Sequence, residues 1–223
     1  MFMSLLKRAT NRAIWLLPSS GTIKGYDDPE LIEFVFRKTQ LFKAVDPWPE
    51  MAGIASVLDF GGGFGSHYRR AQQHSPDIRW AVVETPETAE RAAELATESL
   101  RFFSSIGDAT SWLGPVEVVY SNAALHCTPE PERYLSELCA VRAKTLIWDR
   151  TLLSSDGRRK YVDRNLLAEN GPGVSLSRRR VEVEMIRMAE KTFLETHRDY
   201  ILVKREGRQD DRAGENFVFK LSA

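Results

Sequence analysis

Cysteine is scarce in this 223-residue chain, and charge of one sign does not predominate. Cys127 and Cys139 lack Cys-x-x-Cys spacing, so no cysteine-based metal or redox centre is expected, and no bound metal at all. Two free thiols fit a reducing compartment, which makes a cytoplasmic location the expectation. The 31 basic and 31 acidic residues cancel. Nucleic-acid binding draws on an excess of phosphate-neutralising cations, so no nucleic-acid partner is expected. Arg178-Arg179-Arg180, the densest basic cluster, reads as the solvated start of a helix. No apolar run reaches the roughly 18 residues of a transmembrane helix. Internal repeats and low-complexity tracts are missing too, and nothing specifies an oligomeric state.

The N-terminus mixes Phe2, Leu5, Leu6, Ile14, Trp15 and Leu17 with Lys7, Arg8 and Arg12. That pattern suits an amphipathic helix packed over the domain, with weak peripheral membrane contact as the alternative. Arg12 interrupts the apolar run, so a secretory signal is not expected.

What the chain does have is alternation. Short apolar runs at Ile54–Phe60, Arg79–Val83, Leu100–Ile106, Val116–Tyr120 and Thr145–Trp148 are separated by polar stretches of helical character. Ser66–His74 and the alanine- and glutamate-rich Glu87–Leu100 read as helices, as does a stretch capped by Thr128 and running to Arg142. Strands that are apolar on both faces and alternate with helices form a parallel sheet covered on both sides, joined by right-handed crossovers. The C-terminal third reads differently. Arg178–Glu195 fits one long helix, with Val181, Met185, Met188 and Phe193 at core spacing. Tyr200–Val203 and Phe217–Leu221 then make an antiparallel hairpin at the sheet edge. The expected architecture is α/β: a Rossmann-like, doubly wound, mostly parallel seven-stranded sheet with a C-terminal antiparallel hairpin. Residues 1–53 form a helical cover or lid, and residues 54–223 form the ligand-binding domain.

Ligands of such sheets bind beyond the carboxyl ends of the strands, where strand order reverses. The first strand runs into Asp59-Phe60-Gly61-Gly62-Gly63-Phe64-Gly65, in which glycines let backbone approach a ligand and the turn aims free amides at it. Dinucleotide enzymes use G-x-G-x-x-G; started at Gly61 or Gly63, that pattern demands glycine where Ser66 or Tyr68 stands. An NAD-dependent oxidoreductase is therefore a minor alternative. Glu84 ends the second strand, where a carboxylate can accept both ribose hydroxyls. Asp108 and Ala109 follow the third run and are placed against an adenine, and Ser121 and Asn122 end the fourth. His126 is the leading general base because an imidazole titrates near neutrality, and His67 is a second catalytic candidate. Tyr26, Asp149 and Arg150 are candidate substrate contacts.

The acidic-x-Gly-x-Gly-x-Gly loop and these strand ends resemble class I S-adenosylmethionine-dependent methyltransferases. More narrowly, Asp59 to Tyr68 resembles a family of bacterial methyltransferases with a D-F-G-G-x-x-G-S-H-Y core. Gly25-Tyr26-Asp27-Asp28 and Ile147-Trp148-Asp149-Arg150-Thr151 are similar to that family's G-Y-x-x and I-x-D-R-T segments. The resemblance spans about residues 22 to 152. It implies S-adenosylmethionine as cofactor, held by Asp59, Gly61, Gly62, Gly63, Gly65, Glu84, Asp108, Ala109, Ser121 and Asn122. It also implies a small-molecule or glycan acceptor; a non-catalytic module of the same fold is the other alternative. Leu125-His126-Cys127 replaces the family's Leu-Gln-Tyr, and Asn165 to Ser177 replaces an aromatic Ser-Tyr-Pro stretch.

Overall fold

Five of the apolar runs become neighbouring parallel strands in the computed structural model, which describes residues 14–43, 48–172, 175–207 and 214–222. In chain order they are β2 (Ser56–Phe60), β3 (Arg79–Val83), β4 (Leu100–Phe103), β5 (Val118–Asn122) and β6 (Thr145–Thr151), after a short β1 (Thr22–Lys24). The helices are α1 (Pro29–Leu41), α2 (Ser66–Ala71), α3 (Pro86–Ala92), α4 (Ile106–Leu113) and α5 (Pro131–Ala140). The remaining elements are β7 (Leu153–Ser154), β8 (Arg159–Leu166), β9 (Arg180–Ala189), α6 (Glu190–Thr196), β10 (Tyr200–Gly207) and β11 (Glu215–Leu221).

The large sheet has seven strands in the order β10-β11-β6-β5-β2-β3-β4. Chain order reverses between β2 and β5, so the loops that follow these two strands open into one crevice. The fold is Rossmann-like and doubly wound, as the alternation predicts. The hairpin is present, but only β10 lies at the edge; β11 inserts antiparallel between β10 and β6. Each sheet face has its own core. Leu58, Val119, Leu135, Leu146, Trp148 and Phe193 pack on one side, and Val57, Tyr68, Trp80, Val82 and Tyr120 on the other.

Several expectations need correction. Residues 180–189 form β9 rather than the middle of a long helix; only Glu190–Thr196 is helical. Val181 and Val183 are buried alternately with exposed or half-buried neighbours, and β9 pairs with β1 on one side and with β8 on the other. The arginine triplet consequently leads into a strand: Arg179 pairs with Glu30, and Arg180 stacks on Trp15. β4 ends at Phe103, and α4 is capped by the Ser105 hydroxyl, which accepts the Asp108 N–H. Thr128 caps no helix; α5 starts at Pro131, where the fixed φ of proline suits a first helical residue. The helix read over Glu87–Leu100 is short, and its end becomes a 3-10 turn at Ala93–Leu95 before β4 begins. The N-terminal segment contributes β1 as well as α1, so part of its cover is sheet. The basic amphipathic stretch falls mostly on residues 1–13, outside the described residues. Among the described residues no helix is long and apolar enough to cross a membrane.

The hairpin side of the core contains a titratable group. His197 is buried, donates from Nδ1 to the Phe193 carbonyl (2.7 Å) and accepts from Trp148 Nε1 at 2.7 Å. Burial pushes its pKa down to about 4. The unfolded chain takes up a proton below about pH 6.5 and the folded chain does not until about pH 4, so stability from neutral His197 is complete above 6.5 and lost as pH falls towards 4. Denaturant titrations at pH 7 and 4.5 should show a loss of roughly 2–3 kcal/mol from this group. His197→Gln should flatten that slope; an unchanged slope would contradict the assignment.

Candidate functional site

The crevice at the strand-order reversal is a cleft of about 1460 Å³. Single-ligand pockets usually measure roughly 300–1,000 Å³, so there is room for two small molecules side by side. Its floor is the sheet end: Gly61, Gly62, Gly63 and His67 after β2, Glu84 and Thr85 after β3, Ser104 after β4, and Asn122 at the end of β5. Its roof comes from the second sheet, with Tyr161, Asp163 and Asn165 on β8 and Met185 and Arg187 on β9. Leu31, Ile32, Val35 and Thr39 of α1 close the side.

The glycine loop is organised from beneath. Asp59 is fully buried (0% exposed) and does not reach the cleft wall. Its Oδ2 accepts from Trp80 Nε1 (3.1 Å) and from His67 Nδ1 (2.9 Å). Its Oδ1 has no hydrogen-bond partner. Asp59 thus stands behind the loop: its carboxylate sits under Gly62 and orients His67. The loop amides are also more occupied than the sequence suggests. Gly61 N–H donates to the Val83 carbonyl, Gly65 N–H to that of Gly62, and Gly63 N–H to Glu84 Oε1 at 2.8 Å. Gly65 leaves the cleft wall to begin α2.

Glu84 is on the wall, half-buried, and its other oxygen accepts from the Thr85 N–H. Burial raises its pKa; bonds from the Gly63 and Thr85 amides oppose the shift, and the charge of Asp59 adds to it. Asp108 and Ala109 are not at the site. They occupy the first turns of α4, with Ala109 fully buried, because the third strand stops before the position the sequence assigned. Ser104 takes that strand-end position. Ser121 is buried behind the wall, while Asn122 is on it. Asp149 also lies off the wall and accepts the Tyr120 hydroxyl at 2.9 Å.

A directional chain joins the two ends of the cleft. Arg150 Nε donates to Asn122 Oδ1 (2.6 Å), and Asn122 Nδ2 faces His67 Nε2 at 3.4 Å. With Asp59 accepting at Nδ1, the proton belongs on Nδ1 and the Nε2 lone pair faces Asn122 and the cleft. The His67 side chain is 16% exposed and lines the cleft. His126 differs. It is 5% exposed, its Nδ1 has no partner, and burial together with Arg150 and Arg187 lowers its pKa to about 4. Tyr26 and Cys127 face each other on the wall, Oη to Sγ at 3.8 Å. Burial holds the thiol protonated, with its pKa pushed up to about 12, and raises that of the phenol.

The structure therefore gathers Gly61, Gly62, Gly63, His67, Glu84, Asn122, His126, Tyr26 and Arg150 around one cleft. The roof residues were not foreseen. Their signal was the alternation Val181, Val183, Met185, which competes with the helical spacing of Val181, Met185 and Met188.

No protein-family model and no curated protein matches the sequence. Solved structures with a similar fold include mitomycin 7-O-methyltransferase, at 17% identity over 84% of this chain and 54% of that one, with a TM-score of 0.46. This chain thus spans about half the length of that protein. Another is 1,6-didemethyltoxoflavin-N1-methyltransferase of Burkholderia thailandensis, crystallised with 1,6-didemethyltoxoflavin and S-adenosylhomocysteine. It is 17% identical over 100% of this chain and 89% of that one, with a TM-score of 0.47. A third is an O-methyltransferase family 2 protein from Planctomyces limnophilus in complex with apigenin, 15% identical over 98% of this chain and 61% of that one, with a TM-score of 0.47.

Proposed function

We propose that the chain is an S-adenosylmethionine-dependent methyltransferase acting on a small-molecule or glycan acceptor. The observation that carries this reading is the pairing of the glycine loop with Glu84 of the neighbouring strand end, beside the strand-order reversal and in a cleft with room for a second ligand beside the first. The residues present fit the cofactor. A Cβ at Gly63 would meet nothing within 4 Å, so the loop leaves a cradle open to the cleft. Beneath the loop, the buried Asp59 carboxylate has an unpartnered oxygen, which favours a cationic ligand end above it. Glu84 has lone pairs for the ribose hydroxyls.

Bound there, S-adenosylmethionine supplies a sulfonium methyl for in-line transfer to a nucleophile. The chain's own part is to hold the nucleophile in line and to take its proton where it carries one. We assign that proton to His67 Nε2, because Asp59 fixes the imidazole from behind and offsets the positive charge formed on it. His126 ranks below it: burial first, and then Arg150 and Arg187, make its conjugate acid too unstable to form readily at neutral pH. Tyr26 and α1 cover the cleft as a lid, which leaves cofactor binding to the part of the chain from β2 onward.

Equilibrium binding of S-adenosylhomocysteine to Glu84→Ala tests the ribose assignment. Loss of two hydroxyl partners should weaken binding by about 10- to 100-fold while the melting temperature stays close to that of the parent. Equal affinities for parent and variant would reject Glu84 as the ribose ligand.

A further inference from the structure

The chain entering β1 carries apolar side chains that the domain does not bury. Leu16 is 85% exposed, Leu17 48% and Leu176 68%. Ile14 and Trp15 of the same turn are half-buried, so this segment packs on the domain with one side only and leaves its two leucines to solvent. The three leucines belong to one surface, because residues 15–21 run beside residues 178–180. Arg180 N–H donates to the Gly21 carbonyl at 3.0 Å and Ser19 Oγ to that of Arg178, while the Arg180 guanidinium lies over the Trp15 ring, 4.7 Å from its centroid. A single exposed leucine needs no explanation, but a cluster of them marks a contact.

The charge carried by these two stretches has one sign. Residues 1–26 include Lys7, Arg8, Arg12 and Lys24, and residues 170–181 include Arg178, Arg179 and Arg180; neither stretch holds an acidic residue, although the whole chain is neutral. Lys7, Arg8 and Arg12 lie outside the described residues. Within the triplet, Glu30 engages Arg179 and Trp15 takes Arg180. Arg178 is exposed, and among the described residues neither it nor Arg180 forms an ion pair. A second copy docked across a two-fold axis would set this surface against itself, arginine facing arginine. A nucleic acid matches the charge but offers leucine no apolar depth. An anionic bilayer supplies both, an acyl boundary for the leucines and negative charge at its surface.

We propose that residues 15–20 and 176–180 form a docking surface for an anionic phospholipid bilayer, with Leu16, Leu17 and Leu176 entering the headgroup region and Arg178 pairing with lipid phosphate. Trp15 also lines the cleft, so a bilayer docked here lies beside it. An indole in that position suits the boundary between water and lipid. Such docking is independent of which reaction the cleft performs.

Co-sedimentation of the full chain with vesicles of phosphatidylcholine, with and without about 30% phosphatidylglycerol, is the test. Binding to the anionic vesicles should be saturable, about tenfold or more tighter than to pure phosphatidylcholine, and weaker at about 0.5 M salt than at about 0.05 M. The double variant Leu16→Gln with Leu17→Gln should weaken it by about tenfold or more, and so should Leu176→Glu, which changes only the second, distant stretch of chain. Arg178→Gln should weaken it by about fivefold, the worth of one basic residue at an anionic surface. All four side chains are exposed, so the melting temperatures should stay with the parent's. Leu176→Ala serves where the glutamate variant fails to fold, and it should weaken binding less. No sedimentation with the anionic vesicles would overturn the proposal. So would equal binding to pure phosphatidylcholine, or binding that the leucine variants leave intact. A dimer in analytical ultracentrifugation that the double leucine variant dissociates, or a DNA duplex bound more tightly than the vesicles, would assign the surface to that partner and overturn it as well.

Discussion

Gly63→Asn should leave the protein folded and weaken binding of S-adenosylhomocysteine by about 100-fold or more, roughly 3 kcal/mol. Gly63 has φ +59°, a region that asparagine tolerates, and a Cβ there meets no protein atom within 4 Å. It would instead occupy the cradle assigned to the ligand. Gly62→Ala is the complementary substitution. Its Cβ would collide with Asp59 Oδ2. Asp59 cannot yield easily, being fully buried and bonded to Trp80 and His67. The alanine should therefore destabilise the fold by about 2–4 kcal/mol and disturb His67 before any ligand is added. Thermal melts and binding isotherms on the two variants separate the effects. Binding of S-adenosylhomocysteine to Gly63→Asn with the parent's affinity would show that the ligand does not cross this loop.

His67→Gln should lower kcat by about 10²- to 10⁴-fold for an acceptor that loses a proton, with cofactor affinity nearly unchanged. Glutamine can still reach for Asn122 but cannot take the proton. Asp59→Asn should lower kcat in the same direction, since it removes the charge that stabilises the imidazolium. His126→Gln should have the smaller effect on kcat, because His126 is buried with an unpartnered Nδ1 and is not bonded to the Asp59 carboxylate that supports His67. A fall in kcat greater for His126→Gln than for His67→Gln would reverse the assignment.

The parts of this fold that were legible in sequence are those specified locally. β2 and β3 are short, largely apolar and, apart from Arg79, buried on both faces, so no register or partner information is needed to recognise them. The glycine loop and Glu84 follow from those strand ends. The misreadings share a different cause. In β9, Val181, Met185 and Met188 satisfy a helical spacing while Val181, Val183 and Met185 satisfy strand alternation, and the choice is made by β1 and β8, far away in the chain. β4 stops early because the Ser105 cap starts a helix inside an apolar run. That displaced Asp108 and Ala109 from the site and hid Ser104. The role of Asp59 was beyond local reading too. Its position at a strand end was clear, but that Trp80 and His67 would both donate to one of its oxygens depends on the packing of neighbouring strands.

Isothermal calorimetry with S-adenosylhomocysteine and with NAD is the most direct measurement of the central claim. The account predicts saturable 1:1 heat with S-adenosylhomocysteine, lost in Gly63→Asn, and none with NAD. No heat with S-adenosylhomocysteine, or saturable binding of NAD at the same cleft, would contradict it.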